Sequence, residues 1–410
     1  MRKATLLSIT GLLAIGLMFG GNFVQAQSIG GHAGTLDPTF GTGGNVTTNF
    51  GGVSVTSLTA IEQSNGNIAV VTGLGNGVPG EENFALVRYT SNGTLIGTTT
   101  AAFFNNGINS PIAAAAQSNG NIVVAGTASG TNQPTVFAIA RFTPNGQLDT
   151  TFGDGGLVTT DISGTLPGLT AVIVQSNGQI VVGGASGTGG RHQPPNTVLV
   201  RYNSNGSLDT TFGTGGIVQE VTAVGAPLAL AQLSNGDYLA VTGNQLSPEE
   251  GVVAEFNSTG VLQSTVTSAT VVAASPSTPE LVNPVIFQPN GDYIWAETVG
   301  NGFQRQAAEA FRFSETGVAD PSFTSIKITF GGQRINEPQA LALQSNGQIV
   351  VGGMSGLARL NSNGQLDTTF GSGGSLATFQ VTGLLIQTDG KIVAIGPSGA
   401  DLALARYFAK

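Results

Sequence analysis

The most regularly spaced chemistry in this 410-residue sequence belongs to arginine and aspartate. Arg141, Arg201, Arg312 and Arg359 each precede an aspartate by eight residues: Asp149, Asp209, Asp320 and Asp367. A glycine-containing turn lies between the members of each pair, which sets opposite charges nearly face to face across a hairpin. Arg406 has no residue eight positions further on, and Asp37, near the start, is its expected partner. Glu255 and Gln263 stand where a fifth such pair would be, so both partners change together, and Arg88 faces Ile96 and has no carboxylate. Charges repeated this way have two uses, an anion or sugar site or one structural salt bridge per repeat. A role repeated at every unit is architectural first, so the pairs are read as structural.

Other reactive groups are scarce. With no cysteine, the chain has no disulfide, thiolate metal site or cysteine nucleophile. Of its two histidines, His32 lies near the start and His192 in a polar stretch. A site of several histidines is excluded, and a Ser-His-Asp triad would have to use His192. Residues 75–80 fit G-x-G-x-x-G but precede a strand pattern rather than a helix, so they are not a dinucleotide site. No G-K-[ST] phosphate loop or EF-hand loop occurs, and the GTGG segments lack the aspartates of calcium-binding repeats. The single tryptophan, Trp295, argues against tryptophan-rich quinone-cofactor folds. The expectation is therefore no cofactor, no metal and no catalytic residues.

The elements that position these groups repeat. Residues 340–371, ALALQSNGQIVVGGMSGLARLNSNGQLDTTFG, contain two Asn-Gly turns flanked by short apolar runs, which reads as two successive hairpins. Aligned on the first turn of each copy, Gly66, Gly120, Gly178, Gly236, Gly291, Gly347 and Gly390 mark seven units spaced 54, 58, 58, 55, 56 and 43 residues apart. Four strand-like runs per unit, as in LTAVIVQ, QIVVGG, NTVLVRY and SLDTTFGTGGIVQE of the third, match an antiparallel propeller blade. The last unit ends after its third run, and residues 36–50, LDPTFGTGGNVTTNF, supply the missing fourth at the other end of the chain. The expected fold is all-β: one seven-bladed β-propeller over residues 35–408, its ring closed by the N-terminal strand, which removes exposed sheet edges. The glutamines before the first turns (Gln63, Gln117, Gln175, Gln288, Gln344 and Gln387) are expected to bond their own turns. Phe40, Phe152, Phe212 and Phe370 are expected to pack between neighbouring blades.

The recurring pattern L-D-x-T-F-G-x-G-G, then Q-S-N-G-Q-I-V-V-G-G, then L-A-R-Y-N-x-N-G resembles the delta-60 repeat family of bacterial propeller proteins across residues 35–408. That resemblance implies the fold and an exported or surface setting, and it carries no catalytic motif. The first 26 residues read as a signal peptide, with Arg2 and Lys3 before an apolar run and Val24-Gln25-Ala26 at its end, followed by a tail over residues 27–34. Without it the formal charge moves from −9 to −11. That acidity argues against nucleic acid and anionic lipid as partners. Six of the remaining 12 basic residues are the arginines named above.

Function is expected in the links between the second and third runs, which are short in the last two units and long and polar elsewhere. Glu81, Glu82, Arg191, His192, Glu249, Glu250 and Arg305 are the candidate ligand-binding residues. The expectation is an exported monomer, in the periplasm, on the cell surface or outside it, not membrane-spanning after signal cleavage. It would bind a protein or glycan without catalysis. The alternatives are a polysaccharide lyase or hydrolase with a carboxylate site near the axis, for instance Glu81 with Glu249, and a structural envelope component.

Overall fold

The computed structural model describes residues 31–410 apart from 54, 76–80, 105–106, 163–167, 188–195, 221–226, 244–250, 269–283, 300–306, 325 and 331–335. The stretch read as a signal peptide, residues 1–26, lies outside the described residues. Gly31–Lys410 forms one unit of structure, and its regular elements among the described residues are all β-strands.

The third repeat shows how the sequence makes a sheet. Its strands are Gly168–Val174, Ile180–Ser186, Asn196–Tyr202 and Ile217–Glu220, antiparallel and side by side in chain order. The turn between the first two is closed by Gln175 N–H to Gln179 C=O and Gly178 N–H to Gln175 C=O, at 2.8 and 2.9 Å. Gly178 takes φ +84°, while the Asn177 side chain accepts the Gln179 N–H. Only the glycine enters the left-handed region, so the turn is longer than a two-residue Asn-Gly hairpin. The second strand is buried throughout and the third almost so, which is why both read as unbroken apolar runs rather than alternations.

The third, fourth and sixth repeats each form a four-stranded sheet. The first and second join through one parallel bridge, Glu82 to Ile108, into a sheet of eight. A further four-stranded sheet combines the chain ends: Asn45–Thr48 pairs antiparallel with Asp401–Tyr407, Asn45 opposite Ala405 and Thr48 opposite Leu402.

Two expectations about the strands are corrected. The fifth repeat has three strands among the described residues instead of four, with Ile328 only bridging back to Ala308. The L-D-x-T-F-G segment is not the start of a fourth strand. It folds into a loop held by Phe212 N–H to Asp209 C=O and Gly216 N–H to Phe212 C=O, because Gly213, Gly215 and Gly216 all adopt positive φ. Leu208 makes a single bridge to Tyr202, and only the four residues after the loop form a strand of the sheet.

The core lies in layers between consecutive repeats. Phe212 of the third repeat packs with Val181, Leu199 and, in the fourth, Tyr238, Ala240 and Phe256. Val393, Ile395, Leu402 and Leu404 from the end of the chain pack with Phe40 and with Ile68, Val70 and Tyr89 of the first repeat.

Candidate functional site

Arg201 leaves the third strand of its unit, and its Nε lies 2.7 Å from Asp209 Oδ2. The backbone makes the pairing inevitable, since Asp209 N–H donates to Arg201 C=O at 2.9 Å. Asp209 Oδ1 accepts the Thr211 N–H and hydroxyl, at 3.0 and 2.7 Å. The guanidinium lies 4.5 Å over the Phe212 ring and donates from Nη1 to Ser258 C=O in the next unit at 2.6 Å. One side chain thus neutralises an aspartate, caps a buried ring and staples two units.

The arrangement recurs. Arg141, Arg312, Arg359 and Arg406 contact Asp149, Asp320, Asp367 and Asp37. They stack on Phe152, Phe323, Phe370 and Phe40. They donate to the carbonyls of Ser204, Ser362, Ala409 and Ser91. Burial pushes the carboxyls of Asp37, Asp149, Asp209 and Asp367 up. Hydrogen bonds from the threonine two residues on, and the arginine, outweigh it and hold all four below the ordinary 3.8. At Asp320 the Ser322 hydroxyl and amide dominate, with the same result.

Arg88 makes no ion pair with a described residue, yet it staples too. Its Nε donates to Gln63 Oε1 at 3.2 Å and its Nη1 to Asn145 C=O of the next unit at 2.5 Å. A register shift after it sets it opposite Gly97, not Ile96. The turn glutamines also reach outward: Gln63 to Pro144 C=O at 2.8 Å, and Gln117 and Gln344 to Gly178 and Gly390 C=O at 3.4 and 3.5 Å. Their own turns are already closed by backbone and asparagine side chains, which corrects the expectation of a bond within the turn.

Of the candidate ligand-binding residues, Glu81 is half-buried just before the strand Glu82–Tyr89. Glu82 is committed within the fold: its carboxylate accepts the Thr56 hydroxyl at 2.9 Å and the Ser110 hydroxyl, tying the first two units together. Arg191, His192, Glu249, Glu250 and Arg305 lie outside the described residues.

Two features went unread in the sequence. Glu297, 4% exposed, lies opposite Glu309 in the fifth unit. Burial first, and the Glu309 charge second, push its carboxyl up to about 8. At this register the other units carry Thr72, Gly126, Gly184, Thr242, Gly353 and Gly396, so a glutamate there was a visible departure. The second is a cavity of about 490 Å³ between the fourth and fifth units, lined by Leu239, Val253, Glu255, Phe287, Gln288 and Glu315 among others. The signal for it was the joint loss of arginine and aspartate at Glu255 and Gln263.

Residues 63–95, 117–152, 175–212 and 344–370 match the family described as "Domain of unknown function (DUF5122) beta-propeller". The fourth and fifth units, which flank the cavity, fall outside these stretches. No curated protein matches the sequence. Among solved structures, the periplasmic gluconolactonase of Pseudomonas aeruginosa is 11% identical, covering 87% of this chain and 88% of its own, with a TM-score of 0.51. A protein of unknown function from Dyadobacter fermentans is 12% identical, covering 89% and 98%, with a TM-score of 0.50. An α-L-arabinanase of Penicillium chrysogenum is 13% identical, covering 88% and 96%, with a TM-score of 0.45. The repeated four-stranded antiparallel sheets and the four matched stretches together make this chain a β-propeller repeat protein, similar to a family whose own function is open.

Proposed function

We propose that the seven repeats form a closed seven-bladed ring over residues 35–408, and that the ring serves outside the cytoplasm as a non-catalytic binding module for a protein or glycan. The order in which the first strands touch supports the ring. Val55–Glu62 touches Ile108–Ala116, and contacts pass on through Gly168–Val174, Pro227–Gln232, Val285–Phe287, Pro338–Leu343 and Gly383–Ile386, which touches Val55–Glu62. Export rests on the signal-like N-terminus.

One observation carries the binding reading: the links between second and third strands are uneven, on a scaffold whose other end repeats closely. The strands flanking this link stop at Gly75 and resume at Glu82 in the first unit, stop at Ser186 and resume at Asn196 in the third, and stop at Gly353 and resume at Gly356 in the sixth. Loops of unequal length on a rigid frame are where recognition is built. Changing Glu81, Glu249 and Glu250 to Gln should weaken capture on glycan and protein arrays and leave the melting temperature unchanged. Glu82 is left in place because it carries hydroxyl contacts of the fold. Undiminished capture by that variant would overturn this reading.

A polysaccharide-acting enzyme is the second reading, favoured by Glu297. A carboxyl held neutral near pH 7 beside a second carboxyl is the arrangement a general acid needs. Turnover of a polysaccharide that Glu297→Gln abolishes would establish it over the binding module.

A further inference from the structure

At four of the junctions between units, an arginine from the third strand fills the space beneath the next unit's second turn: it lies over a phenylalanine and donates to a turn carbonyl, as Arg201 does over Phe212 to Ser258. At a fifth, Arg359 lies over Phe370 and donates to Ala409 C=O after the last strand. The junction between the fourth and fifth units departs from this on every count. Glu255 replaces the arginine, Gln263 the aspartate, and no phenylalanine follows in Leu262–Ser268. The space is left as the cavity described above. Its volume is within the range of small-ligand sites.

The lining reverses the charge found elsewhere. Glu255 and Glu315 both line the cavity, Glu315 at its exposed edge, and none of its lining residues is basic. Glu255 is half-buried, and its Oε2 accepts the Ser264 hydroxyl at 3.2 Å. Glu315 occupies the turn position of Ser91, Ser204, Ser258 and Ser362, whose carbonyls take the arginine at other junctions. Leu239, Val253 and Phe287 add an apolar wall, and Gln288 and Asn290 add amides.

We propose that this cavity binds a guanidinium group on an aliphatic stem, supplied by a ligand in place of the arginine the chain itself omits. The two carboxylates neutralise the planar cation, and the leucine, valine and phenylalanine walls take the stem and one face of the plane. An ammonium lacks that plane and is bound more weakly. The cavity is bounded by the first turns of both units, at the opposite end of the strands from the variable links. It is therefore a site separate from the loop face, and does not depend on it.

The test is calorimetric or NMR titration of the whole protein with N-acetyl-arginine amide, and with its citrulline counterpart, a neutral isostere. The arginine compound should bind at least tenfold tighter, and that difference should vanish in Glu255→Gln/Glu315→Gln. A Gly-Arg-Gly peptide and butylguanidine divide the sources: a peptide bound tighter than butylguanidine points to a protein segment, and equal binding to a small guanidine, both upholding the site. Glu255→Arg with Gln263→Asp restores the chain's own pair and should abolish binding. Should that variant fail to fold, the Gln variants still decide. Equal binding of arginine and citrulline compounds, no binding of either, or unchanged binding by the Gln variants would overturn the proposal.

Discussion

Asp209 and Arg201 are both nearly buried, with side-chain exposures of 8 and 9%, so removing either leaves a nearly buried charge without its counter-charge. Asp209→Ala should lower unfolding free energy by about 3–5 kcal/mol in chemical denaturation. Asp320→Ala should cost less than half as much, because its pair is 26 and 17% exposed. Exchanging the pair, Arg201→Asp with Asp209→Arg, should recover part of either single loss, and strictly additive effects would mean the contact has no energetic weight. The five aspartates and Glu297 act oppositely with pH. Native aspartate pKa values lie below 3.8, so their contribution is complete above that pH and is lost as pH falls through the native values. Glu297 has a native value of about 8 against an ordinary 4.5, so the folded state holds its proton longer and stability falls as pH rises between the two. Glu297→Gln should remove that slope, leaving the variant more stable at pH 8 by on the order of 4 kcal/mol and nearly equal at pH 4. Parallel pH profiles for variant and parent would show that the carboxyl is not buried as described.

At the scale of the element, glycine has two distinct tasks. Gly390 closes a first turn at φ +86° with open space where a Cβ would stand. Gly206 closes a second turn at φ +92°, where a Cβ would come within 3.0 Å of Gly153 N and 3.1 Å of the Phe152 ring. The first is required only by backbone conformation; the second also lets one unit's turn press on the loop of the unit before it. Gly390→Ala should therefore cost about 1–2 kcal/mol, the ordinary left-handed penalty, and Gly206→Ala at least twice that. Thermal denaturation of the two variants gives the comparison, and equal losses would show that the turn-to-loop approach is loose. The same approach explains why L-D-x-T-F-G is a loop: it must fold back under the neighbouring turn, where Gly213 N–H donates to Thr259 C=O.

Across the whole molecule, the two chain ends meet in one sheet. Asn45–Thr48 completes the last sheet, Asp37 pairs with Arg406, and Phe40 enters the core shared with the first unit. A protein beginning at Gly51 loses all three at once and exposes the edge of Asp401–Tyr407 to pairing between molecules. It should lose its cooperative melting transition or associate, as read by calorimetry and light scattering. An unchanged, monomeric transition would remove the support for closure through the N-terminal strand.

The all-β repeat was legible in the sequence because its signals are local. Asn-Gly and Asp-Gly turns with apolar runs recur every 54 to 58 residues until the last interval of 43, and each needs only its own neighbours to be read. The eight-residue spacing of arginine and aspartate spans one hairpin, so their meeting also follows from short-range geometry. What the arginines do beyond that is decided between units: the carbonyl each one reaches lies 50 or more residues away in sequence, as Ser258 does from Arg201. The glutamine bonds to the next turn were hidden for the same reason. Glu297 shows the limit at a single residue, since its raised pKa comes from burial by strands that no local pattern names. The cavity shows it at the junction. The substitutions at Glu255 and Gln263 were visible in the sequence, but whether neighbouring side chains would collapse into the space was settled only by packing of the fourth unit against the fifth.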